Sequence, residues 1–596
     1  MKITAILHAA FVILFAAPMN AQPSKAQDIS AADQSLDAFF RAYLDADFEL
    51  SPMRATRLGD HRFDQRLDDV SPAAREKRLE LARRTLETLP QKVAFTELSR
   101  GAQVDFEILR ENLTLDLWLE ETERAFENDP RLYTGLATEC AYVLLTQSTL
   151  PAEMNLTNAI ARIRLVPAML IAARENLKHP PRIVTETAIR QNKGAIAFYQ
   201  SEILAMIGDS PQRGTLKEVS GEAANALEIH QDFLEKVLLP RSSGEWRIGR
   251  ERFAQKLEKV LDAGITAEQV IAEAEAQFVE TRRDMLLISR QLWAKYFPKV
   301  PLPANDAEGQ RETILRVIEE VGFDHGKPEE LAANARATVA TLKQFITDHG
   351  ILQLPEPDRC QIIEMPEFQR GNSIAFLNPA PPLDSASSSI YAISPPPGDW
   401  ETSQVESFLS EYNAQMLKVL TIHEAYPGHY VQLEYANRHP SLIRRVLGSG
   451  VYMEGWANYC EQMILDQGYG EGDLALRLMQ LKFFLRSIAN AILDHKMHST
   501  AMTDEEALRF LTDEAFQNEG EAKLKVTRSQ LGSCQLSTYF VGRSAFMRLR
   551  RDLQREMGDA FALGRFHEAI LGQGSVPVKY LPELTRAGLD PAQEPR

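Results

Sequence analysis

Leu420-Thr421-Ile422-His423-Glu424-Ala425-Tyr426-Pro427-Gly428-His429-Tyr430 sits inside a stretch of helical periodicity. A His-Glu pair followed closely by a second His is a zinc-hydrolase pattern. The two imidazoles bind the metal, and the Glu beside the first takes a proton from the attacking water. The usual spacing is four residues, which puts the histidines roughly 40° apart on a helix. Here they are six residues apart, roughly 120° on a regular helix. The sequence therefore predicts that the helix is interrupted between them. Pro427 breaks the hydrogen-bond ladder and Gly428 tolerates unusual backbone angles.

Downstream lies Val451-Tyr452-Met453-Glu454-Gly455-Trp456-Ala457-Asn458-Tyr459-Cys460-Glu461. It reads as a helix with Glu454, Asn458 and Glu461 on one stripe. A catalytic two-His site needs a carboxylate as third ligand and an open fourth position. Glu454 is the expected ligand and Glu461 the reserve, one zinc per chain.

Upstream, the 50 residues 351–400 hold nine prolines, so helices cannot run through them. Between the prolines are short β-type runs at 360–364, 373–376 and 390–393, read as a small sheet with proline-bounded edges. Outside this segment, apolar residues recur at three- and four-residue spacing from Ala31 to about Gly350 and from Glu401 to about Gly572. Leu79, Leu81, Leu86 and Leu89 follow such a pattern behind the Ser71-Pro72 start signal. The fold class is mainly α: helices, a small sheet near the site, then helices. Residues 30–590 are read as one catalytic unit, with 401–590 carrying the metal site.

The 596 residues are 44% hydrophobic and 25% charged, a soluble globular balance. A net charge of −17 argues against a nucleic-acid partner and against docking on an anionic membrane. Met1-Lys2, the apolar run Ile3–Ala17 and the break at Pro18–Ala21 resemble a secretory signal. Residues 1–25 are read as that signal, cleaved near Ala21 or kept as an anchor. A periplasmic or secreted protein without stable membrane association follows. No later segment approaches the ~18 apolar residues of a membrane span. The four cysteines, Cys140, Cys360, Cys460 and Cys534, form neither a disulfide scaffold nor a zinc knuckle, though one pair is possible. His439 and His495 read as surface residues.

Taken together, the sequence resembles the bacterial family catalogued as domain of unknown function 885. The likeness rests on 423–429, on Glu454-Gly455-Trp456-Ala457 with Tyr459 and Glu461, on Asp494 and His498, and on Arg528, Gln535, Tyr539 and Gly542. It implies a helical zinc-peptidase-like fold whose two helical halves flank a deep cleft. It also implies zinc held by His423, His429 and Glu454, with Glu424 as general base. In the closing element, Tyr539 is a candidate oxyanion donor or a packed aromatic, and Arg528 a reader of a substrate carboxylate or a structural ion pair. Asp494 and His498 orient a ligand or contact substrate. The expected function is zinc-dependent hydrolysis of short peptides, as a carboxypeptidase or dipeptidase. The alternatives are a non-catalytic peptide-binding protein on the same fold and a hydrolase of another amide or ester.

Overall fold

Ser71 shows how local chemistry starts these helices. Its side chain accepts the Ala74 N–H, and Pro72 fills a first-turn position where no N–H is needed. Ser30, Ser99 and Asp306 cap helices in the same way, and Thr266 with Gln269 forms a full capping box. The computed structural model describes residues 30–365, 375–398 and 400–590. The proposed signal, its cleavage point at Ala21 and residues 373–374 of the second β run lie outside them.

Helices fill the chain from Ala31 to Asp348 and again from Thr402 to Leu589, so the protein is mainly α. The elements around the site are α1 (Ala267–Tyr296), α2 (Ala414–Glu424), α3 (His429–Asn437), α4 (Gly450–Asp466), α5 (Leu474–Ser499), α6 (Glu519–Leu531) and α7 (Thr538–Met557). The long helix α5 runs through the middle, packed against α1, α2 and α7.

Three short strands interrupt the helices, near the positions the prolines delimit: β1 (Cys360–Glu364), β2 (Ala375–Asn378) and β3 (Ser389–Ile393). Their order is β1-β3-β2. β3 is central and the most buried. It pairs in parallel with β1, Ile362 against Tyr391, and antiparallel with β2, Leu377 against Tyr391. The Tyr391 hydroxyl lies 3.2 Å from Thr421 Oγ1, which ties the sheet to α2.

Two hydrophobic clusters form the interior. The larger joins helices from both ends of the chain, Leu36 through Leu113 with Phe253 through Leu589. The smaller is built mostly from Tyr133 through Leu238. Contrary to the sequence expectation, one later stretch, Ala152–Asn176, is long and apolar enough by length and composition to cross a membrane. Of its most apolar window, 56% is buried. It bends at Arg164-Leu165 and gives Leu156, Ile160, Val166 and Leu170 to the smaller cluster. All four cysteines are free thiols; Cys140, Cys460 and Cys534 are buried and Cys360 partly so. His439 and His495 are half-buried rather than surface groups. His439 Nδ1 accepts the Ser441 N–H, and the His495 ring stands edge-on to Phe253.

Candidate metal centre

The helix breaks where Pro427 and Gly428 predict. α2 ends at Glu424 and α3 begins at His429. The connecting turn folds so tightly that the Gly428 N–H donates to the Ile422 carbonyl at 3.0 Å. A Cβ on Gly428 would lie 1.9 Å from the His423 carbonyl oxygen, a contact no side chain can make. Trp456 on α4 fixes the same turn by donating its indole N–H to the Pro427 carbonyl at 2.8 Å. Behind it, Asp358 accepts the hydroxyls of Tyr426 and Tyr430 at 2.7 and 2.9 Å.

This turn brings the two imidazoles together, their ring centroids 4.7 Å apart and nearly perpendicular. Glu454 approaches both: its Oε2 is 3.7 Å from His423 Nε2 and 3.6 Å from His429 Nε2. Donor atoms of the three residues all lie within 4.8 Å of one another. Ligands of a tetrahedral zinc at ~2.0–2.1 Å stand ~3.3–3.4 Å apart, so the two Glu454 distances fit with a small contraction. Glu454 Oε2 is buried with no hydrogen-bond partner among the described residues. A buried carboxylate oxygen that faces two imidazoles without a hydrogen bond favours a cation that completes the set. The residues present therefore fit a zinc ion.

Glu461 has a different place from its neighbour. His423 Nδ1 meets Glu461 Oε1 at 2.7 Å, which leaves Nε2 facing Glu454. A carboxylate behind a ligating histidine fixes its tautomer and ring orientation. Burial, reinforced by the His429 charge, pushes His423 down to about 3, so its lone pair is not taken by a proton. Burial also drives the Glu461 carboxyl well above its ordinary range, partly offset by Arg543. For Glu454 burial pushes up, but His429, His423 and Arg528 outweigh it and hold the carboxyl low. Glu424 is raised to about 7 by burial, against the pull of His429. Its Oε2 accepts the Leu377 N–H of β2 at 3.1 Å.

The closing element gathers in one place. Arg528 donates to Gln535 Oε1 at 2.7 Å and lies 3.3 Å from the Tyr539 hydroxyl, which Gln535 Nε2 also approaches at 3.3 Å. Tyr539 is half-buried and Arg528 exposed. Asp494 and His498 serve the loop that carries this group. Asp494 accepts from the Cys534 N–H at 3.0 Å and the Ser537 hydroxyl at 2.7 Å. His498 Nε2 meets the Ser529 carbonyl at 2.9 Å. Sequence reasoning missed Gly428 as a steric requirement, Trp456 as a clamp and Phe483, whose ring stands edge-on to His423 at 5.7 Å. Gly428 carried a signal in its pairing with Pro427, and Trp456 in standing two residues from Glu454 on the same helix; Phe483 carried none.

The protein is thus mainly helical and carries a His-His-Glu cluster. The chain belongs to the family described as "Bacterial protein of unknown function (DUF885)", whose model matches residues 52–584. Two solved structures are similar to it. One is a "putative lipoprotein of unknown function" from Shewanella oneidensis, 31% identical, covering 93% of this chain and 100% of its own, with TM-score 0.78. The other is a "putative lipoprotein" from Colwellia psychrerythraea, 18% identical, covering 93% and 99%, with TM-score 0.75. No curated protein matches the chain.

Proposed function

We propose that this protein is an exported zinc-dependent peptidase acting on short peptides, built on a helical zinc-peptidase-like fold with two helical halves around a cleft. The observation that carries the reading is Glu454 Oε2, buried, without a hydrogen bond among the described residues, and within 3.7 Å of both imidazole Nε2 atoms. His423, His429 and Glu454 would hold the ion. Bound zinc supplies Lewis acidity toward the scissile carbonyl and acidifies water. Glu424, next in sequence to the first ligand, takes the proton of the attacking water and returns it to the leaving amine. Tyr539 donates its hydroxyl to the carbonyl oxygen as charge develops there.

The sheet supports an extended peptide as substrate. Leu377 points its N–H at Glu424, away from β3, so this edge of β2 faces the site. A strand edge next to a hydrolytic centre is suited to align a peptide backbone. The likeness to two proteins called lipoproteins and the N-terminal apolar run together support export to the periplasm or medium.

The test is cleavage of a mixed library of short peptides, read by mass spectrometry, for wild type and Glu424→Gln. We expect wild type to cleave, and Glu424→Gln to keep its zinc and lose at least ~10³-fold in turnover. Cleavage by Glu424→Gln at the wild-type rate would remove Glu424 from the mechanism. A wild type that holds zinc and cleaves nothing would contradict the peptidase reading.

A further inference from the structure

Helix α6 carries Glu521, Lys525 and Arg528 at i, i+4 and i+7, one stripe of its surface. The two outer residues are engaged. Glu521 accepts the Tyr412 hydroxyl at 3.0 Å and pairs with Arg486 at 3.2 Å. Arg528 holds Gln535 and adjoins Tyr539. Lys525, between them, is 6% exposed and has no hydrogen bond or ion pair among the described residues. Burial, with repulsion from Arg486 and Arg528, drives its ammonium well below the ordinary lysine range. Glu521 and Glu454 pull the other way.

The surroundings also lack partners. Tyr412, Phe483, Arg486, Gln517 and Glu521 line a small cavity at the Glu521 end of this stripe, which neither Lys525 nor Arg528 lines, and Phe483 is the wall it shares with His423. Gln517 is 7% exposed, and both of its side-chain amide atoms are buried with no hydrogen bond among the described residues. A lysine whose side chain is nine-tenths buried and makes no ion pair among the described residues is a candidate for ligand binding. The ligand that satisfies one ammonium and one guanidinium together is a carboxylate.

We propose that Lys525 and Arg528 form a carboxylate subsite beside the metal cluster that takes the C-terminal α-carboxylate of a short peptide. The site would then release C-terminal residues or split dipeptides. This rests on the peptidase reading, but its test does not require turnover. Glu424→Gln protein supplied with zinc is incubated with an equimolar tripeptide library and with the same library amidated at the C-terminus. Peptides retained on ultrafiltration are counted by mass spectrometry. Free-acid peptides are expected to be retained at least tenfold over amides. Lys525→Met and Arg528→Met, each added to that protein, are expected to lose tenfold or more of this retention, and Lys525→Arg to keep most of it.

Thermal unfolding supplies a second readout. Removing a charge from a mostly buried side chain that makes no ion pair raises the Tm in Lys525→Met, whereas a lysine with an internal structural role would lower it. Amides retained only when they contain Asp or Glu, and released by Lys525→Met, support the carboxylate subsite with a side chain as the source. Equal retention of acids and amides overturns the proposal. So does a Lys525→Met protein with unchanged retention and a lower Tm. Failure of wild type to cleave, with retention as predicted, would overturn the peptidase reading alone.

Discussion

A buried imidazole that is to hold a cation must stay neutral and point the right way. His423 gets the first from burial and the second from Glu461, 2.7 Å behind it. The sequence placed both carboxylates of α4 on the right stripe, but periodicity alone cannot say which meets Nε2 and which Nδ1; that depends on the roll of α4. His230 shows the same physics without a partner. It is fully buried, both ring nitrogens lack hydrogen bonds among the described residues, and burial takes it down to about 3. Above pH ~6.5 it is neutral folded and unfolded, so it adds no pH dependence. Below that the unfolded chain gains a proton the folded one refuses, and stability falls as pH drops toward 3. From pH 7 to 5 the loss is about 2 kcal/mol. In urea unfolding, His230→Leu should lose about 2 kcal/mol less than wild type over that range. An identical pH slope in the two proteins would contradict this assignment.

At the scale of elements, the His-His-Glu cluster depends on how closely helices approach. α4 and α7 cross glycine on glycine: a Cβ on Gly542 would lie 2.1 Å from the Val451 carbonyl oxygen and 2.5 Å from Gly455 Cα. Gly455 follows Glu454 directly, so this crossing sets where the carboxylate stands. Gly542→Ala must push the helices apart, at a cost of about 1–3 kcal/mol. We expect a lower Tm and weaker zinc binding together, measured by thermal unfolding and competition with a chromogenic chelator. Wild-type values for both would show that the crossing is not tight. The interruption between α2 and α3 was legible because Pro and Gly leave a local signature. The glycine crossing was not, because Gly455 and Gly542 are far apart in sequence and nothing near either names the other. The β runs were found from proline spacing, but parallel pairing of β1 with β3 is a long-range fact.

For the whole molecule, the layout of helices, small sheet and helices could be read from the chain, since periodicity and proline content are averages over many residues. The division into two hydrophobic clusters could not. Apolar stripes show that helices are covered, not which ones cover each other, and Ala152–Asn176 passed for no span in sequence although its composition qualifies. What links the scales is the His423-His429-Glu454 cluster, which the larger core, the glycine crossing and the 423–429 turn all serve to place. The decisive measurement is metal content by elemental mass spectrometry, for wild type and His423→Ala, purified without chelator or His-tag. The account predicts about one zinc per chain in wild type and loss of it in His423→Ala with the fold intact by circular dichroism. No zinc in wild type, even after zinc is supplied and the excess removed, would contradict it.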